Sequence, residues 1–359
     1  MEKRAFFINF ALINKKAFHC NIFFLAQKMS LKLNNNITQK ELDSLVESII
    51  HEGYRISREE ASALSNFDNL DALCDAADRI MTSLVGREID SCSIVNARSG
   101  LCAEDCKWCA QASRHHTGCS TYNMINQKEA LEAAHANEKA GVKRFSLVTS
   151  GKRVSENDMP AFCDIYRQIG KETNLYLCAS MGLLSKSQLE ELKKAGVKRY
   201  HCNLETSEGY FPNLCTTHTP EEKKKTIKAA REAGMAICSG GIIGMGESMD
   251  DRLDLAFELR ELDVDSVPIN ILNPIKGTPL ESQPLISEEE VIRTVALFRF
   301  VLPDKTLRFA GGRARLSKTS MLRILRGGMN GALMGDMLTS VGNNVAEDKE
   351  LFESADMKY

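Results

Sequence analysis

The chain has 359 residues, 46 basic against 48 acidic side chains for a formal net charge of -2, and 43% hydrophobic and 26% charged residues. This is the make-up of an ordinary globular protein, long enough to bury a sizeable core as one large domain or two modest ones. It excludes a dedicated nucleic-acid binder, which needs a basic excess to neutralise phosphates, and its twelve cysteines lack secreted-domain spacing, so they read as thiolate ligands in a reducing cytosol.

At the N-terminus, Lys3-Arg4 precede an apolar stretch from Ala5 to Ile13, interrupted by Asn9 and followed at once by Lys15-Lys16. No small-residue cleavage site follows, and the stretch is too short to span a bilayer. Residues 1–36 therefore read as an extension outside the fold, with Met29 as an alternative start. No later segment approaches transmembrane length, so no membrane partner is expected.

From Ile37 to Ile80 apolar residues recur at helical spacing, with Thr38 and Ser57 placed as caps. Residues 37–88 are thus expected to form helices that pack on the domain C-terminal to them. The chain then repeats itself: Ala140-Gly141-Val142, Ala195-Gly196-Val197 and Ala233-Gly234-Met235 each end a charged, Ala-rich helical stretch and lead into a β-prone run. Strands are predicted near 91–97, 143–149, 174–180, 199–204, 235–242, 265–271, 306–310 and 331–335. Such α/β units close most naturally into a (β/α)8 TIM-type barrel over residues 89–345, with 346–359 as a C-terminal tail. An open doubly wound sheet is the alternative, but no Rossmann glycine fingerprint follows the first strand. The glycines of Gly240-Gly241-Ile242-Ile243-Gly244-Met245-Gly246 suit close backbone approach at a strand end.

After the first predicted strand comes Gly100-Leu101-Cys102-Ala103-Glu104-Asp105-Cys106-Lys107-Trp108-Cys109. Its C-x3-C-x2-C spacing lets one loop aim three thiolates at one inorganic centre. On a four-iron, four-sulfide cubane they leave one iron open, and an open metal position marks chemistry rather than structure. The alternative is a structural zinc completed by His115 or His116, although zinc sites usually pair two C-x2-C knuckles. In a barrel, chemistry gathers where strands end, and Cys178, Cys202, Asn203, Cys238, Asn270 and Arg308 fall there. Polar groups in apolar strand runs cost desolvation unless they meet partners.

The cysteine triplet resembles that of radical S-adenosylmethionine enzymes. Taken with Tyr200-His201-Cys202-Asn203-Leu204-Glu205-Thr206-Ser207, with Cys238 to Glu247, Val267-Pro268-Ile269-Asn270 and Arg308 in Leu-Arg-Phe-Ala-Gly-Gly-Arg, it makes residues 45–345 resemble the biotin synthase family. The resemblance implies a 4Fe-4S cluster on Cys102, Cys106 and Cys109, with S-adenosylmethionine on the open iron as source of a 5'-deoxyadenosyl radical. That radical takes hydrogen from two carbons of dethiobiotin, and an auxiliary cluster supplies the sulfur. It further implies that Trp108 lies near the adenine, and that Asn203, Glu205 and Asn270 bind S-adenosylmethionine or the ureido ring. Loop packing for Trp108, and strand-end or turn roles for the asparagines, stand beside those assignments.

The family's auxiliary 2Fe-2S cluster uses three cysteines and an arginine, and the matching positions are Ser146, Cys178, Cys238 and Arg308. A neutral hydroxyl is a poor iron-sulfur ligand, so the centre is expected to be remodelled, with Cys202, Cys215 or both joining Cys178 and Cys238 around two or four irons. Strand alternation turns Cys202 outward if Asn203 faces the axis, and Arg308 has a buried carboxylate as alternative partner. Cys20, Cys74, Cys92, Cys119 and Cys163 are assigned no role, and Lys223 to Lys225 are read as an exposed helix face. The resemblance implies flavodoxin or ferredoxin as electron donor, a homodimer and a cytoplasmic location. The competing functions are another barrel of this superfamily, acting in hydrogenase maturation or methylornithine formation, and an iron-sulfur electron carrier.

Overall fold

Thr38 and Ser57 each accept the backbone N–H three residues on, while Glu41 and Glu60 return the bond to the cap, so both expected helix starts carry capping boxes. In the computed structural model, which describes residues 37–335 and 345–359, these caps open α1 (Gln39–Glu52) and α2 (Arg58–Ser65), and Asn69 caps α3 (Leu70–Leu84). Leu42, Leu45, Val46 and Ile49 of α1 and Leu73, Ala77, Ile80 and Met81 of α3 are buried on facing stripes. The extension expected over residues 1–36 lies outside the described residues.

Parallel strands and helices then alternate: β1 (Asp90–Arg98), α4 (Gln127–Lys139), β2 (Arg144–Thr149), α5 (Met159–Glu172), β3 (Tyr176–Ser180), α6 (Lys186–Lys194), β4 (Arg199–His201) and α7 (Pro220–Glu232). They continue through β5 (Ala236–Cys238), β6 (Gly241–Ile243), α8 (Met249–Glu261), β7 (Ser266–Ile271), α9 (Glu288–Val301), β8 (Thr306–Phe309), α10 (Lys318–Leu325) and β9 (Gly331–Leu333). Each repeated Ala-Gly exit is a true stop, with Gly141, Gly196 and Gly234 at φ of 82°, 101° and 77°.

The hydrogen-bonded order is β5-β4-β3-β2-β1-β9-β8-β7-β6, and the pairing of Cys238 with Ser266 joins β5 to β7. The sheet is therefore the expected closed barrel of eight staves. The predicted strand at 235–242 is one stave in two pieces, β5 and β6, because the backbone bends at Gly240. A Cβ there would stand 2.0 Å from the Pro268 carbonyl oxygen, and one at Gly241 2.4 Å from that of Glu205.

Strand alternation sorts the barrel wall. Phe145, Leu147, Leu177, Ala179, Tyr200, Ile237, Val267, Ile269, Leu307 and Phe309 point outward into the core under the helices. The interior of such barrels is ordinarily filled by layers of branched apolar side chains; here it opens into a cavity of about 360 Å³ whose lining includes thiols, amides and guanidiniums.

The segment expected as a C-terminal tail holds a further helix, α11 (Val345–Ser354). Arg313 and Asp348, both 1% exposed, pair across it at 2.6 Å, and the chain end bonds back to the start of β1, Lys358 N–H to the Arg87 carbonyl and Ile89 N–H to the Lys358 carbonyl. The end of the chain thus closes the barrel beneath β1.

Candidate active site

The cysteine loop leaves β1 at its C-terminal end. Gly100 (φ 70°) lets the chain turn where any Cβ would stand 2.5 Å from a Thr121 methyl, and the Gly100 N–H bonds the Gln111 side chain at 3.1 Å. Cys102 N–H to Gln111 O (3.0 Å) and Ser113 N–H to Cys102 O (2.8 Å) tie the two ends of the loop together. A second segment, after β4, grips its middle: Lys107 N–H reaches Leu214 O at 3.0 Å, and Asp105 accepts the backbone N–H groups of Thr216 and Thr217 at 2.9 and 3.2 Å.

Cys102, Cys106 and Cys109 are half-buried free thiols that share one wall of the cavity. They do not converge as ligands of a single ion would, within 4.8 Å of one another; among the described residues only Cys106, Cys215 and His218 do. His115 turns its Nδ1 to the Cys109 carbonyl at 2.8 Å, bracing the loop. Thiols spaced round a wall fit a cluster of separate irons better than a tetrahedral zinc.

Deeper in the barrel a second group of thiols meets. Cys178 and Cys238 face the cavity from β3 and β5, and Cys92 joins them from β1, within hydrogen-bonding reach of Cys178. Cys92 had no role on sequence grounds, because a lone cysteine in a strand reads as a small hydrophobe. Its parity was the available signal: two residues before Ile94, it falls on the inward face of β1. Cys215, by contrast, is not brought to this group; its Sγ lies 3.7 Å from that of Cys106 at the barrel mouth. Cys202, just past the end of β4, is buried in the apolar cluster and also borders the cavity, apart from the group formed by Cys92, Cys178 and Cys238.

Around these thiols the charge is strongly positive. Asp90 receives Arg144 at 2.6 Å and Arg308 at 3.1 Å, with Arg199 at 3.9 Å, so the carboxylate partner foreseen for Arg308 is present. Burial disfavours the Asp90 anion, but Arg308, Arg144 and Arg199 together hold its carboxyl well below the ordinary value. Burial likewise works against the Cys238 thiolate, while His201, Arg308 and Arg199 bring that thiol below its usual range. Arg199 Nε and Nη1 and Ser146 Oγ are buried without hydrogen-bond partners. Unspent donors beside three thiols make a site for an anionic, sulfur-rich group.

The polar wall carries the remaining predicted residues. Asn203 accepts from Gly240 N–H at 3.0 Å and donates to Glu205 at 3.3 Å; Asn270 donates to the Gly241 carbonyl at 3.1 Å and accepts from Gly311 N–H at 2.9 Å. Both amides brace strand ends and line the cavity. Glu205 takes a φ of 79°, a conformation that costs free energy in a residue other than glycine and clusters at functional sites. Trp108 packs on Leu214, Met245, Leu272 and Leu280 and presents a face to the cavity, combining both roles considered for it. Lys223 departs from the exposed face expected of it: it is buried and bonds the Asn203 carbonyl at 3.0 Å.

The fold and the cysteine loop define a radical S-adenosylmethionine barrel. The Radical SAM superfamily domain matches residues 98–259, and the Biotin and Thiamin Synthesis associated domain matches residues 268–358. Methylornithine synthase has the same fold at a TM-score of 0.75 and 18% identity, covering 88% of this chain and 96% of that one. The FeFe-hydrogenase maturase of Carboxydothermus hydrogenoformans does so at 0.74 and 16%, covering 95% and 83%. Sequence similarity goes much further. The biotin synthase of Parabacteroides distasonis is 48% identical over 305 residues, 85% of this chain and 93% of its own, and that of Clostridium botulinum strain Alaska E43 is 47% identical over 312 residues, 87% and 97%. The chain belongs to the biotin synthase family, and its activity is that of a sulfur-inserting radical enzyme of biotin synthesis.

Proposed function

We propose that the chain converts dethiobiotin to biotin with S-adenosylmethionine as co-substrate, using two iron-sulfur centres held by separate thiol sets in one cavity. The observation that carries this reading is the pair of sets itself: Cys102, Cys106 and Cys109 at the mouth, and Cys92, Cys178 and Cys238 with Arg308 on the strands below. A hydrogenase-maturation or methylornithine-forming barrel gives no reason for the lower set, and an electron carrier gives none for either opening onto a shared pocket.

When bound, the 4Fe-4S cluster of the loop supplies an open iron for S-adenosylmethionine and the electron that splits its sulfonium, and the lower centre supplies sulfide. The chain's own residues bind, orient and shield. Cys102, Cys106 and Cys109, fixed by Gln111 and the segment after β4, would hold one centre and leave an iron open to the co-substrate. Cys92 takes the part that the family pattern gives to a cysteine at position 146, so the lower centre keeps three thiolates and Arg308 despite Ser146. Arg144, Arg199 and Arg308 balance its negative charge. Asn203, Glu205 and Asn270 present the alternating donors and acceptors that a ureido ring and an amino-acid head need, and the barrel wall keeps water away. A flavodoxin or ferredoxin as electron donor, a homodimeric state and a cytoplasmic location are part of the same proposal; no helix among the described residues is long and apolar enough to cross a membrane.

The test is anaerobic incubation of reconstituted protein with dethiobiotin, S-adenosylmethionine and reductant, read by mass analysis for biotin and 5'-deoxyadenosine. Both products are expected. Deoxyadenosine without biotin would refute the substrate, and neither product, with zinc in place of labile sulfide, would refute the chemistry.

A further inference from the structure

Cys106 of the cysteine loop meets two further ligating side chains that belong to neither thiol set. Among the described residues, Cys106, Cys215 and His218 bring one donor atom each within 4.8 Å of one another. We infer that the cluster-free protein binds one divalent ion of the zinc or ferrous class at these three residues, and that this ion and the loop cluster exclude each other because both need the Cys106 sulfur. The exclusion, unlike the binding, rests on the reading of Cys106 as a cluster ligand.

The spacing of the donors is that of a tetrahedral shell. Two thiolates bound to one zinc ion at about 2.3 Å each stand about 3.8 Å apart, and the Cys106 and Cys215 sulfurs are 3.7 Å apart. From Cys215 Sγ the ring nitrogens of His218 lie at 3.3 Å (Nδ1) and 3.8 Å (Nε2), and Asp105 Oδ1 lies at 3.2 Å, where a fourth donor belongs. Without an ion the thiols use their protons to hold the group together: Cys106 donates to Cys215 Sγ, and Cys215 donates to Asp105 Oδ1. A divalent ion takes the place of those protons, each thiol giving up its own to solvent as it becomes a ligand.

The surroundings orient the imidazole for that task. Glu104 Oε2 lies 2.5 Å from His218 Nδ1, so a proton held there leaves Nε2 for the metal, and a carboxylate behind a ligating histidine also raises its basicity. Phe211 meets the His218 ring edge-on at 5.5 Å and fixes its plane. Cys215 and His218 are buried, yet Cys106 and His218 both border the cavity, which gives an ion its way in. Cys102 and Cys109 lie outside this group, so an ion held here occupies one sulfur of the triplet and blocks assembly on all three.

The probe is Co²⁺, titrated anaerobically into the cluster-free full chain with the lower thiol set silenced by Cys178→Ala, and read by thiolate-to-cobalt charge transfer and tetrahedral d–d absorption. One equivalent is expected to bind and to be displaced by Zn²⁺. Cys215→Ala, His218→Gln and Glu104→Gln, each with unchanged circular dichroism, should weaken it by about tenfold or more, and Cys102→Ala should not. Unchanged affinity in both Cys215→Ala and His218→Gln overturns the site, as does loss of binding in Cys102→Ala, which would place the ion on the triplet. For the exclusion, chain preloaded with Zn²⁺ should take up iron and sulfide at the loop about tenfold more slowly than metal-free chain, and Cys215→Ala should show no such delay; equal uptake overturns it. Cys106→Ala separates the two levels: loss of the loop cluster with Co²⁺ affinity unchanged overturns this inference alone, whereas a retained loop cluster overturns the ligand reading beneath the exclusion.

Discussion

Cys92 of β1 and Cys178 of β3 reach one another over the intervening strand, thiol to thiol, while Ser146 of β2 lies in register with Cys178 and Ile94. The position where the resemblance implies a cysteine is thus a hydroxyl, and the thiol stands one inward-facing step earlier on the neighbouring strand.

Replacement of Cys92 by alanine is expected to abolish biotin formation and lower bound iron and sulfide to the content of the loop centre, with S-adenosylmethionine cleavage retained. Metal analysis beside a deoxyadenosine assay checks it. Full iron content in the variant would remove Cys92 from the ligand set.

Arg313 and Asp348 are a buried bidentate pair that fastens α11 to the barrel, Arg313 donating at 2.7 and 2.6 Å. Removing one partner strands the other charge, so Asp348→Ala is expected to cost about 3–5 kcal/mol. Chemical denaturation gives the value. The double variant Arg313→Met/Asp348→Leu should recover a large part of it, since no buried charge is left unpaired.

Gly240 marks the bend between β5 and β6, where the Pro268 carbonyl oxygen occupies the place of a Cβ. Gly240→Ala must push β7 away from the fifth stave, at a cost of about 1–3 kcal/mol or more. Because Gly240 also holds Asn203, binding of S-adenosylmethionine should weaken with stability, which calorimetry on the folded fraction can measure.

Glu288 ties the starts of α9 and α10 together by accepting Ser317 N–H at 2.8 Å, Ser317 O–H at 2.6 Å and Ser320 O–H. The Ser317 and Ser320 bonds hold its carboxyl below the ordinary 4.5. A depressed folded value means that the stabilisation is complete above 4.5 and fades as the pH falls through the folded value. Glu288→Gln should therefore cost under about 1 kcal/mol at neutral pH, given the site's exposure to solvent. The gap from wild type should close in acid, and denaturation at neutral and acid pH would show whether it does.

Much of this was legible along the chain. Capping residues, Ala-Gly helix exits and alternating strands come from interactions a few residues apart, so the eight-stave barrel and the starts of α1 and α2 could be read directly. The C-x3-C-x2-C loop is equally local, and one turn of backbone carries all three thiols. The glycines at 240 and 241 announced a close backbone approach but not its partner, Pro268, and the buried ion pair of α11, which depends on distant Arg313, left no local pattern.

The sequence by itself determined the class of fold, the position of the cysteine loop and the absence of a thiol at Ser146. Only the tertiary structure decided which other thiols gather where. Strand register brings Cys92 to Cys178 across roughly 86 positions of chain, and a loop after β4 carries Cys215 to Cys106 at the mouth instead of to the strands below. Spacing within a loop is set by covalent geometry, whereas proximity between strands is set by hydrogen-bond register and barrel closure, which no single segment encodes.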